Sequence, residues 1–138
     1  MEQLPHIDEH AVETRGPRDA VWTSLLRMLR RTMGGSSTFA RLLGCDPSRI
    51  SADFDGRVGQ TLPGFRVVEA DPGHHLTLEG RHRFSRYRLT FDLDADQVRA
   101  RTDAAFPGAL GRMYRAAVIG SGAHKLITQR MLRQIARA

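Results

Sequence analysis

A chain of 138 residues with 41% hydrophobic side chains is the size of one ordinary domain; such a chain buries about two thirds of its unfolded surface and has no room for a second core. Its formal charge of +6 comes from 21 basic residues of which only Lys125 is lysine, and the arginines are spread over every segment without interleaved exposed aromatics, which argues against a specific nucleic-acid site. The lone cysteine, Cys45, excludes an internal disulfide and an all-cysteine metal cage.

The single thiol points to a reducing compartment. The first residues carry no basic and apolar leader, and no apolar run approaches the roughly 18 residues of a membrane span, so a cytoplasmic protein is expected, as monomer or homodimer. From the N-terminus, His6 to Thr14 alternate with His10, Val12 and Thr14 on one side, which is strand phase. Pro17 suits the first turn of a helix, and Val21, Trp22, Leu25, Met28 and Leu29 then recur at helical spacing up to Gly34-Gly35. Ser36 or Ser37 caps a second short helix over Phe39, Leu42 and Leu43, stopped by Gly44.

Turn signals at Asp46-Pro47, Asp55-Gly56 and Pro63-Gly64 leave room for a short strand at Ile50 to Phe54. Phe65 to Ala70 and His75 to Gly80 form antiparallel strands around an Asp71-Pro72-Gly73 turn. Arg81 to Asp94 is expected to be one long strand with Tyr87, Leu89, Phe91 and Leu93 on one face. A bulge near Ser85 would re-aim His82 and Phe84 to the same interior. After a turn at Asp94-Ala95-Asp96, Gln97 to Phe106 runs back with Val98, Ala100, Thr102, Ala104 and Phe106 in phase.

The chain from Phe106-Pro107-Gly108 to Ala138 has helical periodicity throughout. One continuous helix of about 29 residues would be about 43 Å long. Its inward face is apolar at both ends, with Leu110, Met113 and Tyr114 before and Met131, Leu132 and Ile135 after, but polar in the middle, at Ser121, His124, Lys125 and Thr128. Arg112, Arg115, Arg130, Arg133 and Arg137 lie opposite. A buried polar group without a partner costs about 1–3 kcal/mol, so that polar stretch predicts a cavity of roughly a few hundred Å³ beneath the helix.

One strand, two helices, an antiparallel meander and a long amphipathic helix pack as a curled sheet gripping the last helix. The order resembles the helix-grip fold, of α+β class, of the START-like (SRPBCC, Bet v 1-like) superfamily, which includes plant allergens, polyketide cyclases and lipid-transfer domains. The resemblance rests on Val12-x-Thr14-x-Gly16-Pro17-x-x-Ala20-Val21-Trp22 and on the last helix, and it spans residues 1–138 as a single domain. A closer likeness, to a bacterial branch of uncharacterised START-like proteins, lies in Leu62-Pro63-Gly64-Phe65-Arg66-Val67, Gly80-x-His82-x-Phe84-Ser85-x-Tyr87 and Gly111-Arg112-x-Tyr114-Arg115. The superfamily implies a cavity for an apolar or amphipathic small molecule (a lipid, polyketide or aromatic), with chemistry in some members and none in others.

Within such a cavity His124 is the first candidate, as a general base or as a hydrogen-bond anchor, against the plainer role of a histidine satisfied by a carbonyl or water. His10, His82, Tyr87, Thr102, Tyr114, Ser121 and Thr128 can supply the few orienting polar groups, and Trp22, Phe84, Leu89, Phe91, Phe106 and Met131 the apolar lining. The tyrosines serve equally well as packing rings with wet hydroxyls. No metal or other cofactor is implied: His74 and His75 are adjacent and would face opposite ways on a strand, and no carboxylate pair has ligand spacing beside them. Gly120-Ser121-Gly122 lacks the Gly-x-Ser-x-Gly order of a nucleophile elbow. Cys45 has no strong electropositive partner and reads as an inert thiol. Three functions remain open: a binding domain for a hydrophobic small molecule, a cyclase or dehydratase-type enzyme pairing His124 with a tyrosine, and a protein-interaction domain with a filled core.

Overall fold

The computed structural model describes residues 4–33, 50–51, 53–82, 85–106, 108–120 and 122–136, with the side chains of all these but 32, 33, 110 and 118. The second helix expected over Phe39, Leu42 and Leu43, and Cys45, lie outside the described residues. The elements are β1 (His6–Glu13), α1 (Arg18–Met33), β2 (Thr61–Leu62), β3 (Phe65–Asp71), β4 (His75–His82), β5 (Ser85–Leu93), β6 (Gln97–Ala105), α2 (Gly108–Val118) and α3 (Ala123–Ala136). The architecture is α+β, with a curved six-stranded sheet in the order β1-β6-β5-β4-β3-β2 and every neighbouring pair antiparallel.

Helix α1 starts where proline allows. The Pro17 carbonyl accepts from the Val21 amide at 3.1 Å, Asp19 stands in the first turn, and Arg30 and Arg31 stand in the last, matching the helix dipole at both ends. Val21, Leu25, Met28 and Leu29 are buried on one stripe. They pack with Leu76 and Leu78 of β4, Leu89, Phe91 and Leu93 of β5, Val98 and Ala100 of β6, and Met131, Leu132 and Ile135 of α3. The alternating strands place every one of these sheet residues on the same face. The opposite face is polar and paired across strands, as in Arg88 to Glu79 at 2.6 Å and Arg99 to Glu9 at 3.5 Å.

Three expectations need correction. No strand forms over Ile50 to Phe54 among the described residues; the Ser51 amide and hydroxyl bind Thr61, and the two-residue β2 takes the edge position. The run Arg81 to Asp94 is a hairpin and not one bulged strand, because His82 closes β4 and pairs with Ser85 at the start of β5. The sequence between His82 and Ser85 has no Gly, Pro, Asn or Asp to announce the change of direction between β4 and β5. The irregular registers lie between His6 and Asp8 in β1 and between Val67 and Glu69 in β3.

The C-terminal helical segment is also divided. The Ile119 and Gly120 amides both converge on the Arg115 carbonyl, at 2.7 and 3.3 Å, and the Gly122 amide donates to Ile119. Gly122 has φ +80°, a left-handed conformation that glycine adopts freely and that commonly ends a helix. A continuous helix of about 43 Å therefore does not form, and the face expected of it is altered: Met113 is 68% exposed and Lys125 is exposed, not inward.

Gly80 of β4 lies beneath the turn between β2 and β3. A Cβ there would meet the Gly64 carbonyl oxygen at 1.8 Å, and that oxygen is held by the Tyr87 hydroxyl, which donates to it at 2.6 Å. Gly80→Ala is expected to destabilise the protein by at least about 1–3 kcal/mol, the usual cost of overpacking. An unchanged urea midpoint would mean that the turn does not sit on Gly80.

Candidate functional site

A cavity of about 250 Å³ lies between the sheet, α2 and the first half of α3. Phe65 of β3, His82 of β4, Ser85, Tyr87, Arg88 and Leu89 of β5, and Thr102 and Ala104 of β6 form its floor. Phe106, Tyr114 of α2, Ile119 at the helix break, and His124, Ile127, Thr128 and Met131 of α3 complete the wall. Apart from Arg88, whose guanidinium pairs with Glu79 on the opposite face, the strand positions converge because inward residues recur every second residue, and the α3 positions because Thr128, Met131 and His124 share one helical face.

Of the residues singled out in the sequence, His82, Tyr87, Leu89, Thr102, Phe106, Tyr114, His124 and Thr128 meet at this cavity, as does Met131. Three do not. Phe91 is fully buried in the apolar core, Trp22 packs half-buried against that core from α1, and His10 sits on β1 beside Asp8. Phe84 and Ser121 lie outside the described residues. Phe65, Ser85, Arg88, Ile119 and Ile127 were not anticipated. Ser85 shares the alternation of Tyr87 and Leu89, so recognising the hairpin would have revealed it, whereas Ile119 and Ile127 reach the wall only because the helix breaks.

The polar groups of the wall are partly committed. Tyr87 spends its hydroxyl on Gly64 and packs edge-on against Phe65, with ring centres 5.1 Å apart. His82 packs edge-on against Tyr114 at 4.8 Å, with its Nε2 3.1 Å from the Ser85 hydroxyl. Burial lowers its pKa from 6.5, since a charged ring loses water there. His82 is therefore neutral at neutral pH.

His124 is held from below by a residue that was overlooked. Its Nε2 lies 3.2 Å from Asp8 Oδ1 and 3.2 Å from the Thr102 hydroxyl. A carboxylate only accepts, so this nitrogen carries the hydrogen and Nδ1 is the acceptor of the neutral ring. His10 flanks the same carboxylate from the other side, with Nε2 at 3.3 Å from Oδ2, close enough for an ion pair but without the alignment of a hydrogen bond. The alternation that directs His10 inward directs Asp8 inward as well, so the sequence contained this signal.

On the opposite face of the sheet, His75 bridges Asp92 and Glu69 and contacts the Thr77 hydroxyl at 2.9 Å. Burial opposes its charge, but hydrogen bonds and attraction from Asp92 and then Glu69 outweigh that effect and raise its pKa above 6.5. Among the described residues no group of His, Cys, Asp and Glu is arranged to hold a metal ion.

In fold, the chain is similar to protein CV1439 from Chromobacterium violaceum, with a TM-score of 0.57 and 17% identity over 96% of each chain. Two further likenesses are the Mll3558 protein from Rhizobium loti, with a TM-score of 0.51 and 15% identity over 98% of this chain and 96% of that one, and protein MLL2253 from Mesorhizobium loti, with a TM-score of 0.50 and 15% identity over 95% and 98%. No family model and no curated protein matches the sequence. At these identities the likeness is one of fold, a helix-grip arrangement of curved antiparallel sheet and C-terminal helix.

The two perturbed histidines pull stability in opposite directions with pH. His82, with its depressed pKa, contributes stability present above pH 6.5 and lost as pH falls below it; His75, with its raised pKa, contributes stability present below pH 6.5 and lost as pH rises through its folded value. NMR titration of the ring protons is expected to give His82 a midpoint below 6.5 and His75 one above; the reverse order would contradict the packing described for both.

Proposed function

We propose that the chain works as a single START-like domain that binds an apolar or amphipathic small molecule in the cavity under α2 and α3. The observation that carries this reading is the composition of the wall: Phe65, Leu89, Ala104, Phe106, Ile127 and Met131 make it largely apolar, and Ser85, Thr102, His124 and the neutral His82 add a few polar groups. That is the usual make-up of a small-molecule site. A volume of about 250 Å³ falls just under the roughly 300–1,000 Å³ common for such sites, which favours a compact aromatic or short-chain ligand over a long lipid. An unfilled interior also argues against an interaction domain with a filled core. No described helix is long and apolar enough to cross a membrane.

A second reading, an acid–base enzyme of cyclase or dehydratase type, is favoured by one contact. Asp8 orients the His124 imidazole at the cavity wall, as a positioned base requires. The acid partner in this reading is Tyr114, which lines the same cavity.

The neutral dye N-phenyl-1-naphthylamine tests the binding reading, because it fluoresces on entering an apolar site. It is expected to bind the purified protein saturably, and Ala104→Leu, which adds methyl groups inside the void, is expected to weaken it at least about tenfold while leaving thermal stability unchanged or higher. Full affinity in the leucine variant would put the dye elsewhere and count against the cavity as the site.

A further inference from the structure

Charge is unevenly distributed along this chain. No Asp or Glu follows Asp103, whereas Arg112, Arg115, Lys125, Arg130, Arg133 and Arg137 do, so the entire formal net charge of +6 resides in the C-terminal helical segment and the remainder is balanced. Arg112 and Arg115 stand three residues apart on α2 and so project as neighbours. Among the described residues neither has a carboxylate partner.

A groove of about 280 Å³ opens beside these two arginines, between α2, the start of β1 and the end of β6. Ala104 and Phe106 line this groove and also the apolar cavity, so the two spaces share a wall. The Arg115 guanidinium lies 6.0 Å from the centre of the Phe106 ring, at the boundary between them. His6, also in the groove, has its Nδ1 3.4 Å from Asp103 Oδ1, an oxygen it shares with Arg101 Nε at 3.2 Å. The permanent positive charges of the groove are those of Arg112 and Arg115. An apolar chamber abutting a pair of unneutralised guanidinium groups is complementary to a molecule with the same two halves.

We propose that the ligand is an amphipathic anion, with its apolar body in the cavity and a carboxylate, sulfonate or phosphate group in the groove on Arg112 and Arg115. This rests on the cavity being the binding site. Guanidinium groups suit the anionic end because their planar fork of N–H donors matches the oxygens of such groups in pairs. Both arginines are exposed, so the anionic group adds selectivity to an affinity set mainly by the apolar body.

A matched pair of dyes tests the inference. 8-Anilino-1-naphthalenesulfonate carries the body of N-phenyl-1-naphthylamine plus a sulfonate. The native protein is expected to bind the sulfonate dye roughly tenfold more tightly, a factor in keeping with a charge-assisted pair of hydrogen bonds. The double variant Arg112→Ala/Arg115→Ala is expected to abolish that preference without weakening the neutral dye, and Arg130→Ala/Arg133→Ala to retain it. Equal affinity for the two dyes in the native protein overturns the inference while leaving the cavity reading intact. So does a preference that survives in the first double variant or vanishes equally in the second. If neither dye binds, the cavity reading fails and the inference fails with it.

Discussion

A six-stranded sheet with one apolar face must cover that face, and among the described residues the apolar side chains of the helices close over only part of it. Buried side chains of α1 and α3 close over Leu76, Leu78, Phe91, Leu93, Val98 and Ala100. Toward the other end, where His82, Tyr87, Phe106 and Ala104 face inward, the roof is α2, and no described side chain of α2 belongs to the apolar cluster. Tyr114 is its anchor, set against His82 on one side and, at 6.2 Å between ring centres, Phe106 on the other. Close packing at one end and an aromatic prop at the other leave the space between as a cavity.

The helix break and the polar seam follow from the same constraint. A single rigid helix would carry one face along its whole length, whereas Gly120 and Gly122 end α2 and let α3 begin in its own orientation. In Gly120 an added Cβ would meet the Ala116 carbonyl at 2.7 Å, so the tight end of α2 requires glycine. His124, at the start of α3, then meets Asp8 and Thr102 instead of entering an apolar core. Leaving a buried polar atom without a partner costs about 1–3 kcal/mol, and only His10 among the described residues retains such a nitrogen, 3.3 Å from the same carboxylate.

Strongly periodic stretches were legible in the sequence, and irregular joints were not. The alternation in His6 to Thr14 and Gln97 to Phe106 identified strands and their inward faces, the turn signal after Phe65 to Ala70 identified another strand, and the spacing of Val21, Trp22, Leu25, Met28 and Leu29 identified α1. The pairing of His82 with Ser85 escaped because the sequence between them carries no turn signal, and the helix break escaped because periodicity continues across it. For the cavity, residues in phase on regular elements were found, including His82, Leu89, Thr102, His124 and Thr128. Phe91 and Trp22 were assigned to it because phase tells inward from outward but not the filled end of a sheet from the open one. Asp8 was missed for another reason: a carboxylate on an edge strand reads as a solvated charge until its partner, more than a hundred residues away in sequence, is seen beside it.

Binding in this protein depends on an unfilled, largely apolar space between the sheet and the two C-terminal helices. Xenon enters such spaces and scatters strongly, because a dry apolar cavity has no water to displace. A crystal of the unliganded protein under xenon pressure is predicted to show the gas among Leu89, Phe106, Ile127 and Met131. Side chains of α2 collapsed onto the sheet, with no xenon in the interior, would contradict the account.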